Sequence, residues 1–188
     1  ANTCFFHKKL WVNDPDYLIV RQKGCKSELS LEEARSWATI TGLSNGLVML
    51  GDRMSTLEQD RIELLRKTLP QYSRAAMPVD FFRRDCPGIF SLTVNNQTET
   101  WHVVSITNTL RPERTRDFEL IFKNFGLADD ERLHLFDFWN AKYLGIYQGK
   151  ATISALPPRH TILLGIRKEQ LAPQIIATDT HLTQGGIE

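Results

Sequence analysis

Cysteine is scarce in this chain: three residues, Cys4, Cys25 and Cys86, among 188. An odd and widely spaced set is a poor disulfide framework, and no CxxC metal spacing is present. Such usage favours isolated thiols in a reducing, cytoplasmic compartment. Charge of one sign is also lacking, since the formal net charge is +1. Neither nucleic acid nor an anionic membrane surface is indicated as a partner. The basic doublets Lys8-Lys9 and Arg83-Arg84 have no interleaved aromatics, which argues further against nucleic acid. No apolar run approaches the roughly 20 residues of a membrane-spanning helix. Glycine and proline, 11 and 8 residues, are too few for a disordered or collagen-like chain. GxGxxG, P-loop and HExxH motifs are missing. His7, His102, His134, His160 and His181 are scattered and read as structural or solvated. What remains, at 41% hydrophobic and 24% charged residues, is a soluble globular protein long enough to bury a core.

Two periodicities divide the chain. In the first part short apolar runs alternate with helical patterns. Leu10–Val12 is a brief run followed by the polar turn Asn13-Asp14-Pro15-Asp16 and then Tyr17–Val20. Ser30 with Glu33 has the form of a capping box. Leu31, Ala34, Trp37 and Ala38 recur at helical spacing, and Gly42 is expected to stop that helix. Leu47–Leu50 reads as a strand buried on both faces. Thr56 with Gln59 repeats the capping-box pattern, Leu57, Ile62, Leu65 and Leu69 mark a helix face, and Pro70 ends it. This βα alternation predicts a parallel sheet or barrel.

After about Pro78 the runs become strand-like: Ile89–Val94, Trp101–Thr107, Phe118–Phe122, Leu133–Trp139, Thr161–Ile166 and Gln174–Thr178. Turn formers including Asn95-Asn96, Gly145 and Gly149 separate them, which predicts an antiparallel sandwich. The expected division is residues 1–72 and 79–188, with a linker at 70–80. The closing Thr183–Glu188 segment reads as a turn feeding a further strand, and the chain is expected to be cut from something longer at both ends.

The densest polar cluster is Asn13-Asp14-Pro15-Asp16, after an expected strand. Loops at strand ends build the active sites of βα folds. Two carboxylates there can bond sugar hydroxyls, hold a cation or move protons, with Pro15 fixing one backbone dihedral. The same four residues also suit an ordinary Asx-type turn. Gly51-Asp52-Arg53 follows the next expected strand and would share that rim. Asp52 is either a pocket residue or half of a surface Asp–Arg pair. Trp11 is either a core aromatic or a stacking platform for a sugar ring.

The order of these motifs resembles glycoside hydrolase family 36, the α-galactosidases or melibiases. Phe6–Arg21, with its Trp11-Val12-Asn13-Asp14-Pro15-Asp16-Tyr17-Leu18 core, is similar to the family's penultimate barrel strand and loop. The related family 27 has a similar box. Leu29–Leu50 looks like the next helix and last barrel strand. Asp137-Phe138-Trp139, Gly149, Leu156–His160 and Leu163-Leu164 resemble the sandwich that follows. The resemblance implies an α/β plus all-β chain: the last two βα units of a (β/α)8 TIM barrel, then an antiparallel β-sandwich.

It further implies a retaining mechanism with two carboxylates acting on α-galactoside oligosaccharides. The family's nucleophile motif, K-x-D, and its acid/base motif, R-x-x-x-D, have no position here. Both catalytic groups are therefore expected upstream, and the chain alone is expected to be inactive. The resemblance places Trp11, Asn13, Asp14, Asp16 and Asp52 in substrate binding or its support. Asp52 matches one acidic position of the family's turn there, while Arg53 replaces another. No metal or organic cofactor is implied, and homo-oligomerisation stays open. An alternative from a different class is a non-catalytic carbohydrate-binding sandwich presenting Trp101, Trp139 or Tyr143. Within the glycosidase class, N-acetylgalactosamine specificity or transglycosylation is also open.

Overall fold

The structure, a computed structural model, describes residues 6–22, 24, 28–83, 86–109 and 114–185. Cys4, Cys25, Arg84 and the final residues 186–188 lie outside the described residues. Helix α1 (Leu31–Ser44) starts where the Ser30/Glu33 pattern predicts. The Ser30 hydroxyl accepts from the Glu33 amide at 3.2 Å and the Glu33 carboxylate accepts from the Ser30 amide at 3.0 Å. Two orphan amides of the first turn are thereby satisfied. Gly42 does not stop the helix, which runs on to a left-handed Asn45 cap. A Cβ at Gly42 would come 2.9 Å from Thr68 Cγ2 and collide with the Leu182 side chain. The glycine thus serves close packing rather than termination.

Strand β1 (Tyr17–Leu18) and strand β2 (Met49–Leu50) form a two-stranded parallel pair, with Tyr17 opposite Met49 and Leu18 opposite Leu50. The apolar run Leu10–Val12 is not a strand, because nothing among the described residues pairs along it; Trp11 makes a single bridge back to His7. Helix α2 (Gln59–Thr68) begins after Glu58, and no side chain caps it. The Thr56–Gln59 capping box therefore does not form: Thr56 ends a short 3-10 turn and bonds the Arg53 carbonyl instead. Leu18, Val20, Ala34, Ala38, Leu64 and Leu65 close a small core between the pair and its helices.

The rest is one antiparallel sheet of eight strands. In chain order these are β3 (Met77–Pro78), β4 (Ile89–Asn95), β5 (Thr100–Thr107), β6 (Arg116–Ile121), β7 (Arg132–Asp137), β8 (Lys142–Gln148), β9 (Lys150–Leu156) and β10 (Thr161–Lys168). Their spatial order is β3-β4-β5-β10-β7-β8-β9-β6. Beyond the Gln148–Lys150 pair at the Gly149 turn, β8 and β9 share no further register. The β9–β6 ribbon packs over the other strands, with Phe118, Leu120 and Ala151 against Val104, Ile106, Leu133, Leu135 and Leu164. This antiparallel packing fits the sandwich expected from the sequence.

Three strands, β3, β8 and β9, escape the sequence reading. Gly145 and Gly149, read as separators, are a positive-φ residue inside β8 and the β8–β9 turn. Gln174–Thr178, in contrast, is not a strand. Ile175 projects into solvent there, without a ladder partner to bury it. The expected linker also contributes β3 to the sheet edge.

Helix α1 is the shared element. Its Ser36 hydroxyl accepts from Thr161 at 2.9 Å, and Thr39 accepts from the Trp139 indole at 2.9 Å. The C-terminal segment then straps the opposite end: Leu182 donates to the Lys67 carbonyl at 2.8 Å, and Thr183 accepts from the buried Trp101 indole at 2.7 Å.

Candidate functional site

The tetrad Asn13-Asp14-Pro15-Asp16 is built as a tight polar corner. Asp14 accepts the Asp16 amide at 2.8 Å, an Asx-type turn, and Asp16 accepts the Tyr17 amide at 2.8 Å. Asp16 sits at φ 67, a left-handed conformation unusual outside glycine. Such backbone persists only where surrounding bonds fix it, and it recurs at functional sites. Each turn bond uses one carboxylate oxygen, and both aspartates are exposed.

The tetrad is also clamped from outside. The Trp11 indole donates to Asn13 Oδ1 at 2.7 Å, and the Asn13 amide donates to His7 Nδ1 at 2.9 Å. His7 Nε2 lies 3.2 Å from the Asn45 carbonyl at the end of α1. A Cβ on Gly46 would come 2.5 Å from the Asn13 carbonyl and 3.3 Å from Pro15 Cδ. Only a glycine lets the tetrad lie this close to the start of the β2 segment. A cavity of about 110 Å³ lies behind the corner, between His7, Asn13, Asp14 and Pro15 and a wall that includes Leu43 and Phe90.

Trp11, at 48% exposure, is not a core aromatic; its ring lies tilted against Phe6, with centroids 5.3 Å apart. Four of the sequence candidates, Trp11, Asn13, Asp14 and Asp16, therefore come together. Asp52 does not join them. The parallel register puts the tetrad before β1 and Asp52 after β2, at opposite ends of the pair. The expectation of a shared rim fails because the paired segment lies after the tetrad instead of before it. The Asp52 side chain is 2% exposed. Its oxygens take the Val20 amide at 2.5 Å and the Arg21 guanidinium at 2.7 Å. Its ion partner is thus Arg21, across the strand pair, and not the adjacent Arg53. The arrangement lets Asp52 tie the chain after β1 to the loop after β2.

Two functional candidates escaped the sequence reading. His7 carries no motif, and its bond to Asn13 depends on a loop closure that spacing does not encode. Gly46 follows a helix cap, where a glycine is expected for local reasons. A second, larger groove of about 580 Å³ runs beside α1 and includes Trp37, Asn108 and Arg159 in its wall. There the Arg159 side-chain hydrogen bond, joined by the Ser30 amide, holds the Glu33 carboxyl below its ordinary value. The aromatic platform of the carbohydrate-binding alternative is not assembled. Trp101 is buried at 1% exposure and Trp139 packs between the helices and the sheet, leaving Tyr143 alone at the surface.

No protein-family model matches the chain. Among solved structures it is similar to a family 27 β-L-arabinopyranosidase from Geobacillus stearothermophilus, with TM-score 0.69 and 16% identity over 92% of this chain and 40% of that one. It is also similar to α-galactosidase I from Mortierella vinacea, with TM-score 0.60 and 18% identity over 80% of this chain and 38% of that one. For an α-galactosidase from Saccharomyces cerevisiae solved with raffinose the TM-score is 0.57 at 11% identity, over 82% and 46% of the two chains. These are glycoside hydrolases, and at such identities the likeness is one of fold. The chain spans 38–46% of the length of these relatives.

Proposed function

We propose that this chain is the C-terminal portion of a retaining α-galactosidase-like glycoside hydrolase. Residues 1–72 supply the last two βα units of its (β/α)8 barrel and residues 79–188 its C-terminal sandwich. The observation that carries this reading is the fold likeness to family 27 glycosidases over 92% and 80% of this chain. The Trp11–Leu18 box adds a link to family 36. Support also comes from the surface of the βα units. Leu10, Val12, Tyr17, Leu47 and Leu50 are all exposed, whereas a barrel strand is paired on both sides and covered by helices.

In this reading Asp16, Asp14, Asn13 and Trp11 form part of the wall of the sugar pocket; the resemblance of the box to family 36 supports that role, and the strand pair does not, since the tetrad precedes β1. Carboxylates accept from sugar hydroxyls, and an indole offers an apolar face to a pyranose ring. Asp52 supports that wall from the far end of the strand pair through Arg21. The nucleophile and the proton donor come from earlier strands. The substrate is an oligosaccharide with a terminal α-linked galactose.

The test is hydrolysis by the full-length protein of α-galactoside, α-N-acetylgalactosaminide and β-L-arabinopyranoside substrates, with the anomer of the first product read by NMR. Release of galactose with retention supports the proposal. Failure on every substrate contradicts it. Asp16→Asn is expected to lower kcat/KM about 10- to 150-fold, the range for a hydrogen bond to a charged group, with the thermal midpoint unchanged.

A further inference from the structure

We propose that His7 is the positioning residue of the tetrad, and that it acts as the neutral imidazole with its proton on Nε2. The role it serves rests on the tetrad being part of a sugar pocket; the tautomer and the coupling do not.

The two neighbours of the ring dictate the tautomer. A backbone amide can only donate, so Nδ1, 2.9 Å from the Asn13 nitrogen, must present its lone pair. A backbone carbonyl can only accept, so Nε2, 3.2 Å from the Asn45 oxygen, must carry the hydrogen. The imidazole is therefore a strut with fixed polarity. One end rests on a carbonyl at the left-handed cap of α1, among the groups a helix end leaves without an internal partner. The other end holds the first residue of the tetrad.

A ring that is 8% exposed and bonded at both nitrogens has little freedom to rotate. Its protonation state then sets the geometry of Asn13. A proton added at Nδ1 would face the Asn13 N–H, donor against donor, and the amide would lose its acceptor. The cavity behind the corner gives the loop room to shift when that bond is lost.

Among the described residues, few charged groups surround the ring. Its own loop contributes Lys8, whose ammonium donates to the Asn45 side-chain oxygen, and the tetrad contributes Asp14 across the cavity. Helix α1 faces the cavity with Ile40, Leu43 and Ser44, the 75–76 segment with two alanines, and the sheet with Phe90 and Ser105.

The experiment is nitrogen-detected NMR on this chain, with His7 assigned and Asn13 followed by its amide signal. Near neutral pH, Nε2 is expected to be protonated and Nδ1 bare. On acidification the Asn13 signal should move together with the His7 ring signals, and its protection factor, corrected for the slower intrinsic exchange in acid, should fall roughly 5- to 10-fold, the ratio for one net hydrogen bond. His7→Asn keeps an acceptor near the Nδ1 position, so Asn13 should hold its place with no pH dependence. His7→Phe should displace it at every pH.

A proton on Nδ1 at neutral pH would overturn the proposal. So would an Asn13 signal indifferent to His7 titration, and both are read on the unmutated chain should a variant fail to fold. A full-length protein that hydrolyses no galactoside would remove the sugar reading while leaving this coupling intact.

Discussion

The two parts of the molecule use the same kinds of residue to opposite effect. In the antiparallel sheet, apolar positions meet partners: Leu163 and Leu164 on β10 are fully buried, one on each face. In the βα region, Leu47 is 53% exposed although it begins the apolar run that ends in β2. The ladders differ in the same way. β5 and β10 pair over six residues each, whereas β1 and β2 pair over two. An apolar run predicts burial only where a neighbouring element exists to provide it. The sheet carries its neighbours within the chain. The βα units hold a small core through α1 and α2 and present the remaining apolar surface outward.

This contrast fixes the expected sizes of perturbations. Leu164→Ala, inside the sheet core, should lower unfolding free energy by about 2–5 kcal/mol. Leu47→Ala, on the exposed run, should change it by about 0.5 kcal/mol or less. Urea unfolding of both variants measures the difference, and equal losses would erase the distinction between the regions.

Asp52→Ala should cost about 1.5–3 kcal/mol, because it strips a nearly buried partner from Arg21 and an acceptor from Val20. That loss would make Asp52 a structural residue of the βα region; an Asp52→Ala chain as stable as its parent would remove the supporting role assigned to it. Gly46→Ala should cost about 1–3 kcal/mol by crowding and should displace the Asn13 and Asp14 amide signals, since the added carbon meets the Asn13 carbonyl. Unmoved signals would mean that the tetrad is not held by this contact.

Acid should have the smallest effect and should register in the sheet and the strap. Burial, then the positive Lys168, hold His102 below its ordinary value against an opposing pull from Glu131. Burial holds His181 down as well, against the Pro70 and Thr68 carbonyls. The unfolded chain therefore takes up these protons first, and stability should decline as pH falls below about 6.5. His102→Gln should flatten part of that slope in pH-dependent urea midpoints, and an unchanged slope would refute the assignment.

Legibility of the sequence follows the same division. Strands whose alternation is satisfied within the chain, such as Ile89–Val94 and Trp101–Thr107, are readable because pattern and packing agree. The capping box at Ser30 is readable because both of its partners are local. The β8–β9 hairpin is not, since Gly145 and Gly149 look like boundaries when one of them lies inside a strand. Leu10–Val12 misleads because an apolar run does not reveal whether its pairing partner is present. At the site, the tetrad was visible as a motif and Trp11 as its neighbour. The placement of Asp52 was not, because it depends on the parallel register. The roles of His7 and Gly46 depend on a closed loop, which no spacing announces.

Amide hydrogen exchange on this chain tests the central contrast most directly. Protection should be deep along Val103–Ile106 and Leu163–Ile166, at the level of global unfolding, and shallow at Tyr17–Val20 and Val48–Leu50, where local opening suffices. Slow exchange at Val48–Leu50, matching the sheet, would show that the βα units are complete by themselves and would contradict their assignment as the closing pieces of a larger barrel.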